Sequence, residues 1–140
     1  MNSVLPAGSD AALSLHSNLP VVAERPMYFS YGPGAWTGGH VAVAVPPSSA
    51  TASHFAEGFV NPNFAEWYTV LNRTTQDAPV QISLFDSNGH TWTALMDVPA
   101  LSRRTFYAND LLPPLTSNSG TVTSLTGVPI LVERSLYFSY

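Results

Sequence analysis

The sequence predicts an all-β protein built as a two-layer sandwich of about eight to ten antiparallel strands. Twelve Pro and nine Gly interrupt the 140-residue chain at short intervals, which is typical of strands joined by turns. Between these breaks, apolar and polar residues alternate with period two, the pattern of a half-buried strand. The length fits a single compact domain of this class.

The opening and the end of the chain carry the same strand sequence. Residues 19–31, LPVVAERPMYFSY, recur as residues 128–140, VPILVERSLYFSY, at a constant offset of 109 residues. Such a repeat indicates one complete structural unit plus a second copy of its closing hairpin. We therefore predict that residues 1–31 are equivalent to the end of a preceding repeat and that residues 32–140 form one complete repeat.

The predicted strands follow the alternating stretches in chain order. They are residues 11–17, 21–31, 40–45, 51–57, 66–72, 80–85, 90–98, 103–108, 121–125 and 129–140. We expect the first two to form a hairpin that the last two repeat. Pro26 lacks a backbone donor, so its strand is predicted to be broken or to lie at a sheet edge. Asn88-Gly89 is the strongest turn signal, because both residues readily adopt positive φ.

Composition limits the classes of partner. Only 10% of the residues are charged, against about 25% in an ordinary soluble domain, and the five basic residues are all Arg. Nucleic acid is therefore not an expected partner, because phosphate binding requires clustered cations. The chain contains no Cys, which excludes disulfides and thiolate metal sites. No apolar run approaches the ~18 residues of a membrane span, so we expect no membrane insertion.

The first ten residues do not resemble a secretory signal. They lack both the basic region and the apolar region that such a signal requires. An extracellular location therefore implies either a processed segment or an export route that does not use this kind of signal.

Three stretches resemble a known repeat family. These are ERPMYFSYGPGAWTGGH (residues 24–40), FAEGFVNPNFAEWYTVLN (55–72) and VPALSRRTF (98–106). They are similar to a tandem repeat found in large secreted or surface proteins of actinobacteria and Chloroflexi. The resemblance implies an immunoglobulin-like β module, arranged in arrays, extracellular or at the cell surface, and with no assigned catalytic activity.

The repeated Glu-Arg dipeptide predicts a structural ion pair. Alternation places Arg134 on one largely apolar face of its strand and Glu133 on the other. A buried charge requires a partner, and we expect Arg134, or Arg25 in the first copy, to pair with Glu57. Glu24 and Glu133 complete the predicted set. The alternative is that a bulge or Pro26 turns these side chains into solvent.

Catalytic and metal-binding signals are weak. The four His residues, His16, His40, His54 and His90, lie far apart without metal-ligand spacing. No Ser lies in a nucleophile motif. Glu57 and Glu66 are the only carboxylates considered as a glycosidase pair, and nothing in their context favours that chemistry. We expect no enzyme activity, no cofactor and no metal.

Several aromatic residues suggest a second class of function. Tyr31, Trp36, Tyr68 and Trp92 are candidates for a sugar-stacking platform. The competing interpretation places Trp67 in the core between the sheets and packs Trp92 across a hairpin. In addition, Asn72-Arg73-Thr74 matches an N-glycosylation acceptor.

The sequence as a whole favours a structural module that assembles end to end, with itself or with tandem neighbours as partner. In this hypothesis one copy of the duplicated hairpin takes, in a neighbouring unit, the place that the other copy takes in its own. The residues expected to provide apolar burial at the junction are Val21, Ala23, Met27, Phe29, Ile130, Val132, Leu136 and Phe138. The alternative is a module that binds carbohydrate or another surface ligand.

Overall fold

The computed structural model describes residues 5–31, 36–44 and 50–138, with the main chain only at Tyr31 and Trp36. Within these residues the chain forms nine β-strands and one turn of 3-10 helix, Ala108–Asp110. The strands are β1 (Glu24–Tyr31), β2 (Trp36–Val43), β3 (Ala52–Val60), β4 (Phe64–Asn72), β5 (Ala78–Asp86), β6 (Thr91–Val98), β7 (Ser102–Tyr107), β8 (Thr116–Ser124) and β9 (Leu131–Phe138).

The strands form two facing sheets and one separate hairpin. The larger sheet has the order β3-β8-β5-β6, and the smaller has the order β7-β4-β9. β1 and β2 form the two-stranded sheet, and every pairing is antiparallel. The predicted all-β antiparallel sandwich is therefore confirmed.

Alternation along the strands builds the core between the two sheets. In β4, Tyr68 and Val70 are fully buried, whereas Trp67 and Thr69 point to the other face and are only half-buried. β5 contributes Val80, Ile82 and Leu84 from the opposite sheet, each 0% exposed. Each large apolar side chain buried in this way contributes roughly 1.5–3 kcal/mol.

The predicted closing hairpin is wrong, because its two strands lie in different sheets. β8 ends at Ser124 in the larger sheet, and β9 begins at Leu131 in the smaller one. The connection crosses the end of the sandwich through Gly127, whose φ is 75°, and it buries Val128 and Ile130. Two alternating stretches separated by a turn signal a pair of strands, but not whether those strands pair with each other.

The N-terminal copy also departs from the prediction. Residues 11–23 form no strand, and the strand begins only at Glu24. Asp10 forms an ion pair of 2.8 Å with Arg103 of β7, and Ser14 accepts a hydrogen bond from Arg73. The segment before β1 therefore makes side-chain contacts with the smaller sheet and does not pair with β1.

The turn between β5 and β6 forms at the predicted Asn-Gly. Gly89 has a φ of 84°, a value that favours glycine, and Asp86 N–H donates to the carbonyl of His90. Asp86 Oδ1 accepts hydrogen bonds from the N–H groups of Asn88 and His90. The Asp86 side chain thus closes the turn from one side.

Candidate functional site

Strand β3 contains a β-bulge that changes which of its side chains face the core. Its register with β8 shifts between Phe55, which pairs with Gly120, and Gly58, which pairs with Asn118. Two residues of β3 therefore lie opposite one residue of β8. As a consequence Glu57 is exposed, whereas Gly58 is buried.

A polar cluster centred on Glu66 lies inside the sandwich, beside this bulge. Glu66 is 0% exposed, and its Oε1 accepts a hydrogen bond of 2.8 Å from the Tyr68 hydroxyl. Its Oε2 accepts a hydrogen bond of 2.8 Å from the Asn118 amide, and Arg134 Nη1 lies 3.8 Å from Oε1. A buried carboxyl group is costly without partners, and these three side chains supply them.

The predicted partner of Arg134 is wrong: Arg134 lies beside Glu66 and not beside Glu57. The prediction assumed unbroken alternation along β3, which would turn Glu57 inward. The bulge adds one residue and sends Glu57 to the surface. The guanidinium of Arg134 also lies 6.0 Å from the centre of the Phe55 ring, within the range of a cation–π contact.

Two glycines make space for the cluster. A Cβ atom added to Gly58 would collide with both carboxyl oxygens of Glu66, and one added to Gly120 would collide with the Tyr68 hydroxyl. Side chains larger than hydrogen are therefore excluded at both positions, and the cluster is closely packed.

The cluster lacks an accessible acid–base pair. Glu66 is fully buried and Glu57 is exposed, so the two carboxylates considered for glycoside cleavage do not share an open cleft. Burial, reinforced by Glu66, raises the pKa of the Tyr68 phenol far above its ordinary value, so the phenol remains a hydrogen-bond donor. The geometry suits a structural role that ties β4 to β8 and β9.

A second ion pair joins the two copies of the repeated strand. Arg25 Nη2 of β1 lies 2.9 Å from Glu133 Oε2 of β9, where both side chains are partly exposed. The Phe29 ring packs on the Tyr137 ring at 4.4 Å, and the Tyr137 hydroxyl lies 3.2 Å from His40 Nδ1. The β1–β2 hairpin is thus docked on the outer face of β9.

Of the five residues predicted to form the structural ion pair, the structure places three in ion pairs, namely Arg25, Glu133 and Arg134. Glu24 and Glu57 form no ion pair within the described part of the chain.

The main chain of β9 offers one of its edges to no described strand. Glu66 N–H donates to Asn109 Oδ1, and the Asn109 amide donates to the carbonyl of Phe64. Asn109 lies in the 3-10 helix that follows β7, on the β7 side of β4. Even-numbered residues of β4 therefore direct their main-chain groups towards β7, and odd-numbered residues direct theirs towards β9. In the β4–β9 register the odd residues of β4 face odd residues of β9. The main-chain groups of Arg134 and Leu136 therefore point to the edge of the sheet.

The hydrogen bonds of β1 show that it pairs with β2 through the edge that is equivalent to the outer edge of β9. Ala44 N–H donates to the carbonyl of Ala23, one step beyond the β1–β2 register. Arg25 and Met27, which have the same parity as Ala23, therefore direct their main-chain groups towards β2. Pro26, which has no N–H to donate, lies on the edge away from β2, as expected of a proline in an edge strand.

The residues predicted for the assembly junction divide between two environments. In the second copy Ile130 is buried and Val132 packs against the core, so both are already used inside their own sandwich. In the first copy Val21 is 59% exposed. The eight-residue set is therefore not one accessible surface. The remaining members are Ala23, Met27, Phe29 and Leu136, which are half-buried, and Phe138, which is exposed.

The predicted aromatic platform is not brought together. Tyr68 is 0% exposed in the core, and Trp92 is half-buried on the β5–β6 hairpin beside His90. The side chains of Tyr31 and Trp36 lie outside the described residues, although their Cα positions pair at the end of the β1–β2 hairpin. The alternative for Trp67 is also wrong, because Trp67 lies on the outer face and stacks on Tyr107 at 4.1 Å.

The histidines lie apart, each with its own polar neighbour. His16 contacts Ser14, His40 contacts Tyr137, His54 contacts Thr121 and His90 contacts Asp86. Within the described ranges no three His, Asp or Glu side chains gather into a possible metal site. The same ranges contain no helix long and apolar enough to cross a membrane.

The Asn72 side chain is not available as a glycan acceptor in the folded chain. Asn72 is 0% exposed, and its amide donates to the carbonyls of Gln76, Val98 and Pro99. Its Oδ1 accepts hydrogen bonds from the N–H and the hydroxyl of Thr74. The sequon is therefore a structural feature, in which the Thr hydroxyl helps to lock the turn after β4.

A shallow depression lies at one end of the sandwich, between Val60, Tyr107 and Leu112. Its volume of about 200 Å³ is below the roughly 300–1,000 Å³ of ordinary ligand sites. Among the described residues that line it, Tyr107 alone is ionisable, and burial raises the pKa of that phenol.

Three functional positions were missed by the sequence reasoning. Glu66 was considered only as an acid, and Asn118 and Asn109 were not singled out. The alternation of β4 could have identified Glu66, because Glu66 shares the buried face of this strand with Tyr68 and Val70. The two asparagines lie in stretches without such a signal, and only the packing identifies them.

No family model and no curated protein matches the chain. Among solved structures, it is similar to the Anabaena sensory rhodopsin transducer, at 27% identity and a TM-score of 0.55, over 61% of this chain and 86% of that one. It is also similar to Thermotoga maritima 1070, at 13% identity and a TM-score of 0.56, over 65% of this chain and 93% of that one. Both likenesses support the β-sandwich fold.

Proposed function

We propose that the chain is a non-enzymatic structural module that joins copies of itself, or tandem neighbours, end to end. The observation that carries this proposal is the arrangement of the repeated strand. Its first copy, β1, pairs with β2 through one edge, and its second copy, β9, pairs with β4 through the opposite edge. Among the described strands, neither copy pairs through the edge that the other copy uses.

If β1 is superposed on β9, the strand neighbours of the two copies together form a larger sheet. A strand with both neighbours would stand between β4 on one side and β2 on the other, in the order β7-β4-β9-β2. An unpaired strand edge is a template for addition of another strand. Joining units through this strand would build a fibre, filament or surface array. The resemblance to tandem repeats of secreted proteins supports an extracellular or cell-surface location for such a module.

The alternative, a carbohydrate- or surface-binding module, has less support. Two of its four aromatic candidates, Tyr68 and Trp92, lie apart, and one of these is inaccessible. The following experiment distinguishes this binding function from assembly.

The experiment is sedimentation velocity of the purified chain over a wide range of protein concentration, with negative-stain microscopy of the most concentrated sample. We expect oligomers whose size grows with concentration. A chain that remains monomeric at every concentration and binds immobilised glycans would contradict the proposal and favour the alternative.

A further inference from the structure

The outer edge of β9 has the same main-chain positions that the first copy uses to bind β2. With the repeat offset of 109 residues, Arg134 is equivalent to Arg25 and Leu136 to Met27. Arg25 pairs with Ala42 of β2, and Met27 pairs with His40. The edge of β9 is thus a second template for a strand with the sequence of β2.

The side chains of β2 are shaped for this strand. A Cβ atom on Gly38 would lie 3.2 Å from the Phe29 ring, and one on Gly39 would lie 2.8 Å from the Met27 carbonyl oxygen and 3.0 Å from the Tyr28 ring. The two glycines therefore let the Tyr-Phe pair of β1 lie flat across β2. The second copy keeps this pair as Tyr137-Phe138, so the same two glycines fit it.

We propose that β9 binds the β2 strand of a second copy of this chain, in the register that the first copy shows. Arg134 would then pair with Ala42 of the second copy, and Leu136 with His40 of the second copy. This inference deepens the proposed function and rests on it, because it names the edge, the partner strand and the register of the end-to-end contact.

The exchange is close to balanced in main-chain hydrogen bonds. β2 of the second copy leaves its own β1 and gains β9 of the neighbour, which has the Glu-Arg and Tyr-Phe pairs in common with β1. β1 is the less firmly fixed partner of β2, because its hairpin contacts the sandwich through side chains, whereas β9 pairs with β4 in a sheet. This difference favours pairing of β2 with β9.

The absence of Cys allows a direct test by disulfide trapping. In the proposed register Ser135 lies opposite Val41 of the second copy, because their equivalents Pro26 and Val41 pair within the chain. This is a non-hydrogen-bonded pair, with a Cα separation of about 4.5 Å that a disulfide can span. Ser135→Cys and Val41→Cys are made in separate chains, so that no bond within one chain is possible.

The two variants are mixed at a concentration at which the parent chain associates, oxidised mildly, and analysed by mass spectrometry of the cross-linked peptides. The matched control mixes Ser135→Cys with His40→Cys, one residue out of register and on the opposite face of β2. We expect the in-register cross-link to exceed the control several-fold.

The outcomes distinguish failure of the β9–β2 junction from failure of end-to-end assembly. Oligomers with no excess of the in-register cross-link would overturn the β9–β2 junction and leave end-to-end assembly standing through another contact. Absence of both oligomers and cross-links would overturn the two proposals together. An excess of the in-register cross-link in associated samples supports both.

Discussion

Glu66 is the residue on which the interior depends most. Its carboxyl oxygens accept hydrogen bonds from Tyr68 and Asn118, and Arg134 lies beside them. Buried groups of this kind are costly when a partner is removed, since the remaining donors lose their acceptor and cannot reach water. The cluster therefore links β4 to β8 and β9 through one side chain.

We expect Glu66→Gln to lower the free energy of unfolding by about 1–3 kcal/mol, because the new amide NH₂ faces a donor where an acceptor is needed. Urea denaturation followed by tryptophan fluorescence measures the change. The matched control is Glu57→Gln on the exposed bulge, for which we expect less than about 0.5 kcal/mol. Equal effects at the two positions would contradict the central role of Glu66.

Asp86 supplies a prediction about pH. The hydrogen bond with His90, aided by two main-chain N–H groups, lowers the pKa of Asp86 to about 2. A carboxyl group whose pKa is depressed on folding stabilises the fold above its unfolded pKa, and this stabilisation is lost as the pH falls towards 2.

His90→Ala removes the largest cause of that shift, so the pKa of Asp86 should rise towards its ordinary value of 3.8. NMR titration of the carboxyl carbon measures it. His54→Ala, which removes a histidine bonded to Thr121 on another strand, should leave the Asp86 titration unchanged. An unaltered Asp86 pKa in His90→Ala would show that the histidine is not the cause.

At the scale of elements, the β1–β2 hairpin is held differently from the other strands. It belongs to neither sheet of the sandwich, and among the described residues it contacts β9 through the Arg25–Glu133 ion pair and the rings around Tyr137. A partly exposed ion pair contributes little, so the Phe29–Tyr137 contact is the apolar attachment that the described residues show.

We therefore expect Phe29→Ala to loosen the hairpin without unfolding the sandwich. Hydrogen exchange of the β1 and β2 amides should accelerate, whereas that of β5 and β8 should not change, because regions open independently when few contacts join them. Tyr28→Ala, at a side chain 88% exposed on the same strand, is the control. Acceleration throughout both sheets would show that the hairpin is part of the same cooperative unit.

At the scale of the whole molecule, the low charge bears on how copies meet. The net charge is −4, and only 10% of residues are charged. A junction made of main-chain hydrogen bonds and packed rings is insensitive to salt, whereas contacts between charged surfaces are screened within about 10 Å at 0.1 M salt.

Self-association should therefore stay constant or strengthen slightly as NaCl is raised, because added salt only reduces the weak repulsion between like-charged copies. Sedimentation at fixed protein concentration over a series of NaCl concentrations tests this. Dissociation at high salt would indicate a charge-driven contact and would speak against the strand junction.

Much of the fold was predictable from local patterns. Alternation placed Tyr68 and Val70 on one face of β4 and Trp67 and Thr69 on the other, and it placed Arg134 and Glu133 on opposite faces of β9. The Asn88-Gly89 turn was equally local. Such signals depend on the strand period of two and on the φ preference of a few residues, which neighbours in sequence determine.

The sequence alone determined the all-β class, the alternation of faces along the strands from β3 onwards and the duplication of one strand. Only the tertiary structure decided that Glu66, and not Glu57, meets Arg134, that β8 and β9 separate into different sheets, and that the two copies bind through opposite edges. The physical reason is that a bulge, a sheet assignment and a strand neighbour are settled by contacts between residues far apart in the chain, which alternation along one strand does not encode.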